Sequence, residues 1–252
     1  MHAVLVALKW IGIVLATLVG LLLVVVVVLP PLTRGFTNRW GATPSEVSSA
    51  MAGDGLVSAP EQNSTRAVTI KAPPELVFAL VRQMGYRRGG WYGWDWFYQL
   101  TGSANFVDGH HSTRIDPSLQ RFGKGSTMEL LPGAKLTALI YDPPRSLVLY
   151  KNTDAANKHL PVGAADGPHS DMSWAWIVTA QPGGATRLIL RTRAGNPGMP
   201  GFVRWLYDQP LEMGGAVFGY KTLVGIKHTA EKLAATGVVV DASGRQTEGP
   251  TQ

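Results

Sequence analysis

Residues 91–98 hold six aromatic side chains, the densest run of chemically informative residues in the chain. Aromatic rings can line an apolar cavity while their N–H and O–H groups orient a ligand. Two further tryptophans alternate along a predicted strand and share one face, and a phenylalanine lies on an apolar helix face. The predicted pocket residues are Trp91, Tyr92, Trp96, Trp174, Trp176 and Phe218, with Asp95 and Arg88 at the polar end. Two alternatives stay open: a packing plug between a short helix and the sheet, and rings that touch a bilayer.

Titratable residues give weaker evidence for a functional site than the aromatic residues do. Asp108-Gly109-His110-His111 resembles a metal or acid/base segment, but adjacent strand side chains point to opposite faces, so a solvated loop is predicted. His169 and Asp171 carry the same weak signal, and Glu129 lies on a strand where an outward carboxylate is the ordinary case. No Ser-His-Asp spacing or phosphate-binding glycine loop occurs. We therefore predict no metal or cofactor, and the pattern identifies no catalytic residue.

The composition of the chain excludes several kinds of site and favours one kind of partner. The 252-residue chain has no cysteine, which excludes disulfides, thiolate metal sites and a cysteine nucleophile. It carries 23 Lys and Arg against 17 Asp and Glu, a net charge of +6. The basic residues are scattered rather than massed in a tract, which favours anionic lipid headgroups over nucleic acid as the partner.

The N-terminal region predicts a membrane anchor. Residues 10–29 carry no charge and are apolar or glycine apart from Thr17, and at 1.5 Å per residue they span about 30 Å, the thickness of a bilayer core. A cleavable signal peptide is the alternative, but the run exceeds a typical signal core and lacks a small-x-small cleavage site. The charges of the α-amino group and Lys9 balance Arg34 and Arg39. These flanking charges favour one membrane orientation only weakly. The favoured arrangement is a single-pass protein with its folded domain in the cytoplasm.

The rest of the chain predicts an α+β domain. We expect a transmembrane anchor over 1–30, a linker with a short helix over 31–64, a folded domain over 65–236 and a disordered tail over 237–252. A capping box at Thr43-Pro44-Ser45-Glu46 begins the short helix. Antiparallel strands with one buried face follow residue 127. The last helical region, 201–234, is expected to kink or divide at Pro210 and at Gly214-Gly215.

Several segments together resemble the SRPBCC superfamily, also called START-like or Bet v 1-like. Val68 to Phe78 resembles its strand-to-helix junction. Arg88-Gly89-Gly90-Trp91-Tyr92-Gly93-Trp94-Asp95-Trp96 is similar to the "RGGWYSYDW" segment of a bacterial subset, with Gly93 and Trp94 in place of Ser-Tyr. The stretches 142–149 and 173–176 continue the match. The resemblance implies a helix-grip fold, in which a curved antiparallel sheet surrounds a long C-terminal helix and an apolar cavity.

Two functions follow from this resemblance. The first is a membrane-anchored binding or carrier domain for a hydrophobic small molecule or lipid. The second is a polyketide cyclase/dehydratase-like enzyme with acid/base residues in the same cavity. The inward strand positions carry apolar and aromatic side chains rather than a titratable pair, so binding is preferred. A collapsed cavity that serves a protein partner is a third possibility.

Overall fold

The computed structural model describes residues 2–57, 60–100, 102–154, 156–164, 167–198 and 200–247. The α-helices are α1 (His2–Leu23), α2 (Leu29–Thr37), α3 (Pro44–Ser48), α4 (Pro74–Gln83), α5 (Asp95–Leu100) and α6 (Gly201–Ala235), and a π-helix, Val24–Val28, joins α1 to α2. The strands are β1 (Gln62–Ile70), β2 (Thr127–Leu131), β3 (Ala134–Asp142), β4 (Ser146–Asp154), β5 (His169–Gln181), β6 (Ala185–Gly195), β7 (Val239–Val240) and β8 (Gln246–Thr247).

The N-terminal helix is long and apolar enough to span a membrane. Its segment Val4–Leu23 has 20 residues and a mean hydropathy of 2.3, and its side chains are not covered by the rest of the protein. A signal sequence can also contain an apolar helix that meets this criterion, so the helix by itself does not decide between an anchor and a signal sequence. The helical backbone continues through the π-helix into α2 and ends at Thr37.

A six-stranded antiparallel sheet, in the order β1-β6-β5-β4-β3-β2, forms the centre of the domain. Side chains alternate between its two faces, as predicted for the hairpin of β5 and β6. Helices α4 and α6 cover the inner face, where the main apolar core lies. The structure therefore confirms the α+β class, the antiparallel sheet and the long C-terminal helix.

The region expected to be a linker packs on the domain. The predicted capping box is present: Glu46 N–H donates to Thr43 Oγ1 at 3.2 Å, and Thr43 N–H donates to Glu46 Oε2 at 2.7 Å. Buried Arg191 on β6 donates to the carbonyl oxygens of Glu46 and Ser49. Helix α3 thus covers the outer face of the sheet, and this cover explains how an arginine can be buried there.

Two elements differ from the expected organisation. Helix α6 runs unbroken through Gly214-Gly215, although each glycine lowers helix propensity by about 1 kcal/mol. Its packing against β1 and α4 compensates for this cost. Residues 239–247 of the expected disordered tail form the β7-β8 hairpin, whose connecting loop accepts hydrogen bonds from Arg82. Residues 248–252 lie outside the described part of the chain.

Candidate functional site

Four of the predicted pocket residues form one aromatic cluster between α6 and the sheet. The ring centroids of Trp91 and Phe218 are 5.3 Å apart, and those of Trp174 and Phe218 are 5.7 Å apart. Trp174 lies 5.0 Å from Trp176 and 5.7 Å from Trp91. Trp91 and Trp176 are completely buried, whereas Phe218 is only partly buried. The cluster therefore extends from the core to the protein surface at Phe218.

Three separate elements position these rings. Trp174 and Trp176 occupy alternate positions of β5 and therefore point together from its inner face. Phe218 lies on α6, and Trp91 follows the turn in which Gly85 and Gly90 form an isolated bridge. The cluster thus depends on the docking of α6 against the sheet and against this turn.

The interior around the cluster contains polar atoms that lack a protein partner. Among the described residues, the buried indole nitrogens of Trp91 and Trp176 have no hydrogen-bond acceptor. The hydroxyl of Thr222 is also buried and unpartnered, and Thr222 lies one turn after Phe218 on the same face of α6. Buried polar groups are normally paired, so the unpaired indole nitrogens in this cluster and the unpaired hydroxyl on α6 indicate places where a ligand atom could bind.

Trp96 lies on the surface, apart from this cluster. Its side chain is 61% exposed and packs beside Trp94, with ring centroids 6.3 Å apart. The Nζ atom of Lys221 lies 4.2 Å from the centroid of the Trp94 ring, which joins this surface to α6 by a cation–π contact. The structure therefore does not bring Trp96 together with the other predicted pocket rings.

Tyr92 is buried but its hydroxyl is already satisfied. It accepts a hydrogen bond from Gln83 Nε2 at 3.0 Å and donates one to the Leu80 carbonyl at 3.1 Å. Burial raises the pKa of this hydroxyl, so it stays protonated. Tyr92 also has a φ of 55°, a strained conformation for a bulky residue. These features indicate that Tyr92 holds its loop in place.

Arg88 also stabilises the loop, through hydrogen bonds to backbone carbonyl groups. Its Nη2 atom donates to the carbonyls of Arg82 at 2.8 Å and Leu119 at 2.9 Å, and its Nε atom donates to the Met84 carbonyl at 3.1 Å. The guanidinium also covers the ring of Phe122 at 4.9 Å. Arg88 therefore satisfies carbonyls at the end of α4, where the helix leaves them unpaired.

Asp95 pairs with a histidine that the sequence analysis assigned to a solvated loop. His111 Nδ1 lies 2.8 Å from Asp95 Oδ2, and the two side chains are 28% and 21% exposed. The backbone N–H of His111 donates to the same oxygen at 3.3 Å. The other carboxylate oxygen, Asp95 Oδ1, is buried without a partner among the described residues. Burial and the nearby Asp95 carboxylate raise the pKa of the Tyr98 hydroxyl. A carboxylate that orients an imidazole is the arrangement of a general base.

The other titratable candidates remain scattered. His110 is exposed, and Glu129 Oε1 lies 4.0 Å from Lys135 Nζ. Burial raises the pKa of Asp171, and the ring nitrogen Nδ1 of His169 lies 2.9 Å from the carbonyl oxygen of Gly167. Within the described ranges, no group of three or more His, Asp or Glu side chains could hold a metal ion.

A polar cleft lies near the end of α2, away from the aromatic cluster. Its volume is about 360 Å³, and its walls come from α2, β1 and the first turns of α6. The lining residues are Arg34, Glu61, Gln62, Gly201, Arg204, Trp205, Asp208 and Glu212. The sequence analysis did not find this cleft, because its residues come from segments far apart in the chain.

Sequence reasoning also missed His111, Gln83 and Thr222. His111 meets Asp95 only through the folding of a loop, since 16 residues separate them. Thr222 left a usable signal, because it is a polar residue within the apolar stripe of α6 that runs from Phe218 to Ile226.

Comparison with known proteins found no matching family model and no matching curated protein. Among solved structures, MLL2253 from Mesorhizobium loti aligns over 68% of this chain and 98% of its own, at 15% identity and a TM-score of 0.36. The protein jhp0584 from Helicobacter pylori aligns over 73% and 96%, at 10% identity and a TM-score of 0.40. DynU16, from the dynemicin biosynthetic locus, aligns over 73% of this chain and 50% of its own, at 16% identity and a TM-score of 0.35. Similarity at this level carries no functional argument.

Proposed function

We propose that this protein is a membrane-anchored domain that binds a hydrophobic small molecule or a lipid between α6 and the inner face of the sheet. The observation that carries the proposal is the set of unpartnered polar atoms on Trp91, Trp176 and Thr222, which lie among or next to the apolar side chains of the core. An unpaired buried group costs about 1–3 kcal/mol. A ligand with an acceptor oxygen would remove that cost, which gives the site a preference for an apolar molecule with a carbonyl or hydroxyl group.

The sheet order and the placement of the helices support the helix-grip assignment made from the sequence. The chain has one helix soon after β1 and one long helix after the last strand of the sheet, and both pack on the same face. Membership of the SRPBCC superfamily, which the sequence resemblance implies, is part of this proposal. We propose that the anchor spans the membrane with the domain on the cytoplasmic side, where the net positive charge suits anionic lipid headgroups.

Access to the site is proposed to occur at Phe218. The tryptophans around it are at most 4% exposed, so the partly buried phenylalanine is the member of the cluster that a ligand meets first. Because the rings are closely packed, an incoming ligand has to displace the Phe218 side chain by a rotamer change. The three tryptophans then provide the wall against which the ligand packs.

Removing one indole N–H at a time tests the site. Trp91→Phe and Trp176→Phe keep an aromatic ring but remove the unpaired donor. One neutral hydrogen bond is worth about 0.5–1.5 kcal/mol, so each variant is expected to retain roughly 2–10 times less co-extracted hydrophobic ligand than the unsubstituted chain. Native mass spectrometry of the full chain released from detergent measures this occupancy.

Trp96→Phe is the matched control, because the same chemical change is made on an exposed ring. It should leave the occupancy unchanged. Equal occupancy in all three variants would contradict the assigned site, and a chain that carries no hydrophobic ligand under any extraction condition would contradict the binding function.

The second candidate function is a polyketide cyclase/dehydratase-like enzyme, and the pair of Asp95 and His111 is the observation that favours it. In this reaction, His111 Nε2 would remove a proton from a carbon next to a carbonyl, and Asp95 would orient the ring and stabilise the imidazolium. The enolate carbon would then attack a second carbonyl of the substrate, and the imidazolium, whose proton exchanges with water, would protonate the alkoxide that forms. This candidate places the chemistry beside Tyr92, whose ring lies 5.9 Å from that of His111.

Proton exchange separates the two candidates. An aryl 1,3-diketone in D₂O, followed by NMR, reports whether the protein accelerates exchange at the activated carbon. The enzyme hypothesis expects acceleration by the unsubstituted chain and a loss of about 10²–10⁴-fold in His111→Gln. His110→Gln, the neighbouring exposed histidine, is the control and should keep the rate. The binding function expects no acceleration in any of the three proteins.

A further inference from the structure

The first turns of α6 expose large apolar side chains. Phe202 is 73% exposed, Val203 is 53% exposed and Trp205 is 42% exposed. The rings of Phe202 and Trp205 stack with centroids 6.3 Å apart and an interplanar angle of 26°. A helix start on the surface of a water-soluble domain has no reason to stack two such rings in solvent. This patch therefore requires an apolar or interfacial neighbour.

Contacts with the anchor show where this patch lies. Arg34 of α2 forms an ion pair with Glu212 of α6 at 2.7 Å, and Asn38 donates to the same glutamate at 2.6 Å. Further along, the ring of Trp40 contacts that of Tyr220, with centroids 4.6 Å apart. As the chain proceeds from Arg34 to Trp40, its contact residues on α6 also move towards the C-terminus, from Glu212 to Tyr220. The chain from Arg34 to Trp40 therefore runs in the same direction as the α6 segment from Glu212 to Tyr220.

The parallel arrangement brings the start of α6 to the end of the anchor. The π-helix Val24–Val28 precedes Arg34 and also contacts α6. Because Glu212 of α6 lies beside Arg34, the earlier turns of α6 lie beside these earlier, apolar turns of the N-terminal helix. The exposed residues Leu32 and Phe36 of α2 extend the apolar surface of this region.

We infer that the first turns of α6 form a second membrane contact, in which Phe202, Val203 and Trp205 lie in the headgroup region of the bilayer that the anchor spans. This inference rests on the proposed membrane anchor. Tryptophan is enriched at membrane interfaces, where the ring is buried and the N–H stays hydrated. Arg34 and Arg204 border the cleft beside this patch, where they form ion pairs with Glu212 at 2.7 Å and Glu61 at 2.6 Å.

Two contacts with one bilayer fix the orientation of the domain as well as its distance. A single helix would allow the domain to tilt against the bilayer, but the buried hydrogen bond from Asn38 to Glu212 and the insertion of Phe202 and Trp205 restrict this tilt. Phe218 then lies about 20–25 Å further along α6, away from the inserted turns. The proposed access point of the aromatic cluster is thereby held outside the bilayer.

Single spin labels on the full chain test this arrangement. The chain has no cysteine, so Val203→Cys and Val217→Cys each create one labelling site. Both valines are exposed on the same helix, at 53% and 42%, and they lie about 21 Å apart along its axis. Val14→Cys, in the middle of the anchor, reports the bilayer itself. The protein is reconstituted in nanodiscs of phosphatidylcholine with a minor fraction of phosphatidylglycerol.

Electron paramagnetic resonance then compares collisions with oxygen, which concentrates in lipid, and with a water-soluble nickel chelate. We expect the ratio of oxygen collisions to chelate collisions to be highest for the Val14 label, intermediate for the Val203 label and lowest for the Val217 label. A Val14 label in lipid with a Val203 label in water would overturn the second contact and leave the anchor intact. A Val14 label in water would overturn the anchor and this inference together, and lipid exposure at both Val203 and Val217 would overturn the orientation.

Discussion

Replacing Gly225 with alanine is expected to cause the largest loss of stability of any single methyl addition in α6. A Cβ atom at Gly225 would lie 1.6 Å from the Tyr92 carbonyl oxygen and 2.6 Å from its carbonyl carbon. Neither atom can move easily, because the Tyr92 side chain is buried and its hydroxyl is bonded to Gln83 and Leu80. The helix must therefore shift away from the loop, and the expected cost is about 3 kcal/mol or more.

The Gly225 prediction has a direct functional consequence, since a shift of α6 moves Phe218 away from Trp91 and Trp174. Thermal unfolding followed by near-UV circular dichroism measures the stability, and the native mass spectrometry described above measures the retained ligand. We expect both to fall. Gly215→Ala is the matched control, because nothing lies within 4 Å of a Cβ atom there. That substitution should be neutral or should stabilise by up to about 1 kcal/mol. A Gly225→Ala chain as stable as Gly215→Ala would show that α6 does not approach the loop closely.

Arg66→Met is expected to have the second largest effect, because this arginine joins the end of α2 to the sheet from a buried position. It is 3% exposed, and burial lowers its pKa to about 10, so it remains charged at neutral pH. Its guanidinium donates to the Thr37 carbonyl at 2.7 Å and to Asn38 Oδ1 at 3.1 Å. Asn38 in turn donates to Glu212.

Methionine fills part of the same space but provides no donor. The Thr37 carbonyl and the Asn38 side chain each lose a charged partner, and hydrogen bonds to charged groups are worth about 1.5–3 kcal/mol. We expect a loss of about 3 kcal/mol in the free energy of unfolding. The junction should also loosen, and the spin label at position 203 would then show less contact with lipid.

Arg34→Met is the control for the Arg66 prediction, since both arginines act near Glu212 but Arg34 is exposed. Its side chain is 49% exposed, and the buried Glu212 keeps its hydrogen bond from Asn38 in the variant, so we expect a loss of about 1 kcal/mol or less. The same unfolding measurement should therefore separate the two variants by at least about 2 kcal/mol. A larger effect for Arg34→Met would show that the ion pair between Arg34 and Glu212, rather than the network of Arg66, holds α2 to the domain.

The features that the sequence predicted correctly are those that depend on neighbours in the chain. Alternating burial predicted β5 and β6, because a strand repeats every two residues. The capping box at Thr43 and Glu46 was predictable because its two hydrogen bonds join residues three positions apart. The apolar run predicted a helix long enough to span a membrane for the same reason, since length and composition are local properties.

The aromatic cluster was partly predictable. The alternation of Trp174 and Trp176 assigned both to one face, and the apolar stripe of α6 assigned Phe218 to the side that packs. The separation of Trp96 from the other rings was not predictable, although the chain places it only five residues after Trp91. In α5 the turn of the helix, and not the spacing in the sequence, decides which ring faces solvent.

The sequence by itself determined the α+β class, the apolar N-terminal helix and the supply of aromatic side chains, because each follows from local periodicity and composition. Only the tertiary structure decided which side chains meet. Asn38 and Glu212 are 174 residues apart, and Asp95 and His111 are 16 apart, yet each pair forms a hydrogen bond. Their contact depends on how helices and loops dock, which results from the summed packing of the core. The unpaired indole N–H groups of Trp91 and Trp176 have the same origin, because burial and the absence of an acceptor among the described residues are properties of the packed interior.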